Sequence, residues 1–269
     1  MGGVRGVGRW PGWALPLAVA GLLLAAGPGR AAALVATVAA VRPAIVAVGS
    51  YQLRRTPPSH YLGTGFVVGD GRFCLTNAHV VAPVVEGKEG DTVLSLFAAN
   101  GEGASRRGAR LVGHDDDHDL ALLAFDGPPL PALTLGDSHA VREGEAVAIT
   151  GFPIGMVLGL HPATHRGIVA AIVPITDPAL SSRALTAHTL RQLRDPFPIF
   201  QLDLTAYPGN SGSPLYRAAD GAVVGVINSV FAKRGKESAL TDPSGITYAI
   251  PIHLALPLLH AAGVKGPER

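Results

Sequence analysis

Three polar side chains in this sequence are of the types that could act together on a carbonyl substrate. Ser211 lies in AYPGNSGSPLY (206–216), held between glycines in a run that suits neither a helix nor a regular strand. A serine hydroxyl attacks poorly until a base removes its proton, and the oxyanion that forms needs preorganised N–H donors. The flanking glycines allow unusual dihedrals and close approach to a substrate, which makes the amides of Gly209, Asn210 and Ser211 candidate donors. His79, in TNAHVV (76–81), follows the strand-like FCLT and stands where that strand ends. Asp119 opens the apolar run LALLAF (120–125), and a carboxylate at the edge of such a run is costly unless it is paired or hydrogen-bonded.

Each has an ordinary reading alone: a turn for Ser211, a strand-end histidine for His79, a solvated acidic loop for Asp115 to Asp117 and their neighbour. Together, the order His79, Asp119, Ser211 matches one of the known chain orders of a Ser-His-Asp triad. In that chemistry His79 takes the proton of Ser211 and passes it to the leaving amine, while Asp119 holds the imidazole and stabilises the imidazolium. His114 and His118 stand four apart among aspartates, but a strand denies them one helical face and no third spaced ligand group follows. No metal and no organic cofactor is expected.

The elements that must position these residues read as short apolar runs broken by Gly, Pro, Asp and Asn. Six precede residue 126 (44–53, 62–68, 73–76, 93–99, 109–114, 120–125). Six follow residue 140 (146–152, 167–175, 199–204, 213–217, 222–232, 246–252). The pattern predicts an all-β fold of the sandwich or barrel kind, divided at the Pro-containing stretch DGPPLPALTLGDSHA (126–140). Residues 180–194 place Leu185, Thr189, Leu190 and Leu193 near helical spacing. The end, HLALPLLHAAG (253–263), predicts a terminal helix that Pro257 either kinks or starts.

Of the 269 residues 48% are hydrophobic and 16% charged, and part of the apolar excess sits at the front. Arg5 and Arg9 precede an apolar run over 14–26, and Ala31 to Ala33 supply small residues for cleavage, the pattern of a secretory signal over residues 1–33. That run is short of the ~20 residues a membrane span needs. An uncleaved anchor is the alternative, and membrane association is expected only in that case. Removing residues 1–33 takes away three arginines and no acids, so the formal charge moves from +2 to −1. The remainder, 34–269, has no basic excess to attract a phosphate backbone, and nucleic-acid binding is not expected. Cys74 is the single cysteine, so no intrachain disulfide forms. An exported chain without disulfides suits a bacterial envelope protein, periplasmic or secreted.

The blocks GTGF (63–66), TNAHVV, DLALL, GNSGSPL and YAIP (248–251) resemble the signature blocks of trypsin-like (chymotrypsin-fold) serine proteases, most closely the HtrA/Deg group. The resemblance runs from about residue 40 to about 260. It implies two six-stranded antiparallel β-barrels, an N-terminal one over about 40–126 and a C-terminal one over about 140–252, with the triad in the cleft between them. The chain stops at Arg269, soon after the last strand, so a PDZ domain of the HtrA kind is not expected in cis. Ser213 replaces the second glycine of GNSGGPL, as in glutamyl endopeptidases. Those enzymes carry a histidine where this chain has Gly225-Val226-Ile227, which argues against glutamate as the preferred residue. By the same resemblance Thr205, six before Ser211, lies at the base of the primary pocket, with Ile227, Asn228 and Ser229 in its wall. A threonine there offers no counter-charge to Lys or Arg, so small or medium aliphatic side chains are expected.

Two function classes follow. One is an exported serine endopeptidase acting on polypeptides, unfolded proteins among them, with oligomerisation left open. The other is a protease-like binding or chaperone module that uses the cleft without catalysis; the presence of all three triad residues favours the first. An esterase of the α/β-hydrolase kind is disfavoured, because its G-x-S-x-G elbow needs a helix after the serine and here a proline and a strand follow.

Overall fold

The computed structural model describes residues 2–3, 30–87, 92–100, 103–153, 160–175, 196–228 and 245–264. Most of the signal segment, the helix expected over 180–194 and Ser229 lie outside the described residues. Twelve strands form two closed antiparallel barrels, ordered β1-β2-β3-β6-β5-β4 and β10-β11-β12-β9-β8-β7. The first barrel comprises β1 (Ile45–Tyr51), β2 (Ser59–Val68), β3 (Phe73–Thr76), β4 (Val93–Asn100), β5 (Gly103–Asp115) and β6 (Leu120–Phe125). The second comprises β7 (Ala146–Gly151), β8 (Ala163–Pro174), β9 (Pro198–Asp203), β10 (Pro214–Arg217), β11 (Val223–Asn228) and β12 (Ile246–Pro251). The six-plus-six division read from the sequence is therefore the architecture. β5 and β8 run several residues longer than their apolar cores, because their first halves carry exposed side chains between half-buried ones.

Burial drives the closure. Leu75, Leu96, Leu122 and Leu123 in the first barrel and Ile149, Leu202 and Leu215 in the second are fully buried, each worth about 1.5–3 kcal/mol against exposure. The core of the first barrel continues through Ala148, Phe152, Tyr216, Val223 and Val226 of the second, so the two barrels share an apolar interface. The connecting segment is bonded to both: Leu133 N–H donates to Val67 O at 2.9 Å and Gly136 N–H to Val223 O at 2.7 Å.

Three helices accompany the strands among the described residues: α1 (Arg30–Val41), α2 (Ala78–Val85) and α3 (Leu256–Ala261). None is long and apolar enough to cross a membrane. Pro257 stands in the first turn of α3, where its missing N–H costs nothing, so it starts the terminal helix and does not kink it. α2 carries four valines and an internal Pro83, a composition that disfavours helix, and it was not expected. Tertiary contacts decide instead: Val80 and Val81 are buried, and the helix N-terminus is capped by a residue forty positions away.

Candidate active site

His79 is the second residue of α2, and Asp119 stands at the turn between β5 and β6. Asp119 caps the helix from outside: its carbonyl accepts Ala78 N–H at 3.2 Å, and its Oδ1 accepts His79 N–H at 2.8 Å. Two otherwise orphaned N–H groups are thereby satisfied, and a carboxylate sits at the positive end of the helix. Asn77, in the N-cap position, makes no cap bond and donates Nδ2 to Asp119 O at 3.0 Å. The second carboxylate oxygen of Asp119, Oδ2, lies 2.6 Å from His79 Nδ1. With that bond the Nδ1–H tautomer is favoured and Nε2 is left as the acceptor. Asp119 takes a left-handed backbone conformation, φ 53°, a cost that aspartate bears more easily than most residues.

Asn228, at the end of β11, donates Nδ2 to the same Asp119 Oδ2 at 2.7 Å and is 1% exposed. Its side chain was expected in a pocket wall; it turns to Asp119 because that carboxylate reaches across the barrel interface and needs a second donor. Ile227, expected in the same wall, is buried in the core cluster of the second barrel with Leu204 and Ala249. Thr205 is half-buried in the segment leading to the glycine turn.

Ser211 is 7% exposed and lies in the turn between Tyr207 and β10. Its carbonyl accepts Thr64 N–H at 2.9 Å, and the following Gly212 N–H donates to Ile227 O at 2.9 Å, so the turn is tied to both barrels. Gly63 marks how close α2 comes: a Cβ there would stand 2.8 Å from Val80 and 3.0 Å from Ser211 O. Ser211 Oγ makes no hydrogen bond with the described residues, His79 included.

The turn requires glycine at two points. Gly209 has φ 98° and Gly212 φ 85°, and a Cβ on Gly212 would fall 2.0 Å from Thr64 O. Of the three amides expected as donors, that of Asn210 is committed to Tyr207 O at 3.0 Å, the closing bond of a tight turn. The N–H groups of Gly209 and Ser211 have no acceptor among the described residues. Two hydroxyls that sequence reasoning missed hold the Gly209 carbonyl, Tyr61 OH and Thr64 Oγ1, each at 2.7 Å. Thr64 Oγ1 also accepts Phe152 N–H at 3.1 Å. Burial pushes the Tyr61 phenol well above its usual range, so it stays a donor. The signal was available: Thr64 interrupts the buried run of β2, and a buried hydroxyl needs partners.

The family described as trypsin-like peptidase domain matches residues 63–226. A probable periplasmic serine endoprotease, DegP-like, of Halomonas elongata is 36% identical over 196 residues, covering 72% of this chain and 34% of its own. A protein of the same description from Hahella chejuensis is 30% identical over 210 residues, 78% of this chain and 37% of its own. The chain thus spans about a third of the length of these curated relatives. Among solved structures, the HtrA-type protease AlgW with a tripeptide is similar at TM-score 0.59 and 25% identity, over 85% of this chain and 62% of that one.

Proposed function

The chain belongs to the trypsin-like peptidase domain family, and from that premise we propose that it is an exported serine endopeptidase with His79, Asp119 and Ser211 as its triad. The observation that carries this reading is the pair of bonds from Asp119 to His79, with Asn228 completing the carboxylate from the opposite barrel. His79 Nε2 takes the Ser211 proton as Oγ attacks the scissile carbonyl. The oxyanion settles on the N–H groups of Gly209 and Ser211, and the imidazolium is stabilised by Asp119. His79 then protonates the departing amine, and water repeats the sequence on the acyl-enzyme. The missing bond between Ser211 Oγ and His79 is one that a bound substrate closes, as catalytic hydrogen bonds tighten on complex formation.

The substrates in this reading are polypeptides, unfolded chains among them, met outside the cell or in the periplasm, the compartment in the names of the DegP-like relatives. At the attacked residue the preference is for small or medium aliphatic side chains. Thr205 supplies no charge, and its chain neighbours Leu204 and Ala206 are apolar and belong to or pack against the core of the second barrel. A cleavage profile dominated there by Arg, Lys or Glu would overturn that preference.

The test of catalysis is Ser211→Ala: peptide hydrolysis and labelling by a fluorophosphonate probe should both vanish while the fold persists. One observation favours a second reading, a binding module that holds unfolded chains without cleaving them, and it is the unbonded Ser211 Oγ. Under that reading the wild type captures unfolded protein but is neither labelled nor active.

A further inference from the structure

β9 and β12 part company on the approach to the nucleophile turn. Asp203, the last residue of β9, still pairs with Ile246, and Leu204 N–H donates to Gly245 O at 3.0 Å. There the ladder ends. The next two backbone groups are met by one side chain: Thr247 of β12 donates Oγ1–H to Leu204 O at 2.5 Å and accepts Ala206 N–H at 3.1 Å. A carbonyl cannot donate and an amide N–H cannot accept, so the direction of both bonds is fixed. Thr247 is 2% exposed, and its hydroxyl meets these two groups without competition from solvent.

The two bonds bracket Thr205. Leu204 belongs to the core of the second barrel and Ala206 packs against it. Thr205, between them, is half-buried and makes no hydrogen bond of its own with the described residues. Its place is set by its neighbours, and theirs by Thr247. We propose that Thr247 is a positioning residue for substrate selection: its hydroxyl fixes the depth at which Thr205 closes the primary pocket, and so the size of side chain taken at the attacked residue. The proposal rests on the peptidase reading, with Thr205 at the pocket base. A fixed floor gives contact to a side chain of fitting length and turns away a longer one; a floor that shifts does neither.

The test compares three peptides that differ only at the attacked residue, which is Ala, Val or Phe. Wild-type kcat/KM should favour Val about tenfold over both Ala and Phe, the worth of a fitted methyl group or two and of a clash avoided. Thr247→Val keeps the shape and removes the hydroxyl, and both ratios should fall at least about threefold. Thr247→Ser keeps the hydroxyl and should hold both ratios within about twofold of wild type. Where Thr247→Val does not fold, Thr247→Ala leaves room for water to meet the two stranded groups and carries the same expectation. A wild type without preference among the three peptides overturns the proposal. So does an even fall across all three in the Val or Ala variant, the mark of a role in the fold alone, or a Ser variant that loses the ratios as the Val variant does. The same peptides are titrated onto Ser211→Ala, with and without Thr247→Val, where dissociation constants read selectivity without turnover. If nothing is cleaved but Val-selective binding depends on Thr247, the peptidase reading fails and the positioning role stands. If cleavage proceeds with ratios that Thr247→Val leaves alone, the positioning role alone fails. If neither cleavage nor selective binding is seen, both fail.

Discussion

Asn228 Nδ2 lies 2.7 Å from Asp119 Oδ2, the same oxygen that meets His79 Nδ1. The carboxylate that orients the histidine of one barrel is therefore itself oriented by the other. Asn228→Ala removes that donor from a buried site and lets the carboxylate rotate away from Nδ1. The expected outcome is a fall in kcat of about ten- to a hundredfold with KM little changed, since a lost charge-assisted bond is worth about 1.5–3 kcal/mol. Steady-state kinetics on a peptide substrate checks it. Asn228→Asp should cost more, because it sets a second carboxylate against the first.

The strands were legible in the sequence because burial writes itself as apolar runs: LALLAF and VVGVIN are buried almost throughout, and both were marked as strands. Asp119 was legible too, as a carboxylate opening a buried run. What stayed hidden depends on long-range contacts. α2 is a poor helix by composition, and it forms where Asp119 caps it and Val80 and Val81 bury a face. Nothing local to Asn228 points 109 positions back to Asp119, and nothing in AYPGNSGSPLY announces that Asn210 spends its amide on Tyr207.

In the proposed triad Asp119 has two separable roles, one chemical and one structural, and two substitutions part them. Asparagine tolerates the left-handed conformation and keeps an oxygen for the helix N–H, so Asp119→Asn should fold normally. It cannot hold the Nδ1–H tautomer, and in a triad of this kind that loss lowers kcat by about four orders of magnitude. Asp119→Ala loses the cap as well and adds backbone strain, about 2 kcal/mol in all. Thermal melts should therefore place Asp119→Ala below Asp119→Asn, while both are nearly inactive.

Stability should fall on acidification through two half-buried histidines. Burial lowers the pKa of His253, as do neighbouring His139 and His118, with Asp137 opposing; its Nδ1 is held at 2.8 Å from Ser138 Oγ. Burial also lowers that of His165, whose Nε2 has no hydrogen-bond partner among the described residues. A histidine with a depressed native pKa binds fewer protons folded than unfolded. Its neutral-form stabilisation is thus complete above the unfolded value of about 6.5 and lost as pH drops below it. Melting temperature should decline from pH 7 toward pH 5, and His253→Asn should flatten that slope. A slope unaltered in His253→Asn and His165→Gln together would show that other groups carry it.

Gly212→Ala is the sharpest test of the nucleophile turn. The added Cβ would sit 2.0 Å from Thr64 O and 2.3 Å from Thr76 Oγ1, at a φ of 85° that disfavours any side chain. Backbone shift or local unfolding must follow, with an expected loss of about 2–5 kcal/mol from strain and overpacking combined. Denaturant unfolding measures the loss, and fluorophosphonate labelling should disappear even where the barrels remain folded.

Thr64→Val and Tyr61→Phe ask what keeps the two free amides pointing at one place. The Gly209 carbonyl is held by the hydroxyls of Tyr61 and Thr64, and Thr64 is fully buried with Phe152 N–H donating to it. Tyr61→Phe leaves the Thr64 bond in place, so the carbonyl keeps one donor and kcat should drop only a few-fold. Thr64→Val keeps the shape but strands the Phe152 amide, at about 1–3 kcal/mol, and leaves the Gly209 carbonyl only the Tyr61 hydroxyl, which also lies 2.9 Å from Phe152 O. With both the Thr64 bond and the Phe152 anchor gone, the Gly209 peptide is held less firmly and its N–H can turn from the proposed oxyanion position. Removing one such donor costs about two to three orders of magnitude in kcat with little effect on KM. If Thr64→Val lowers stability but leaves kcat intact, the Gly209 amide is not an oxyanion donor and the hydroxyl pair serves the fold alone.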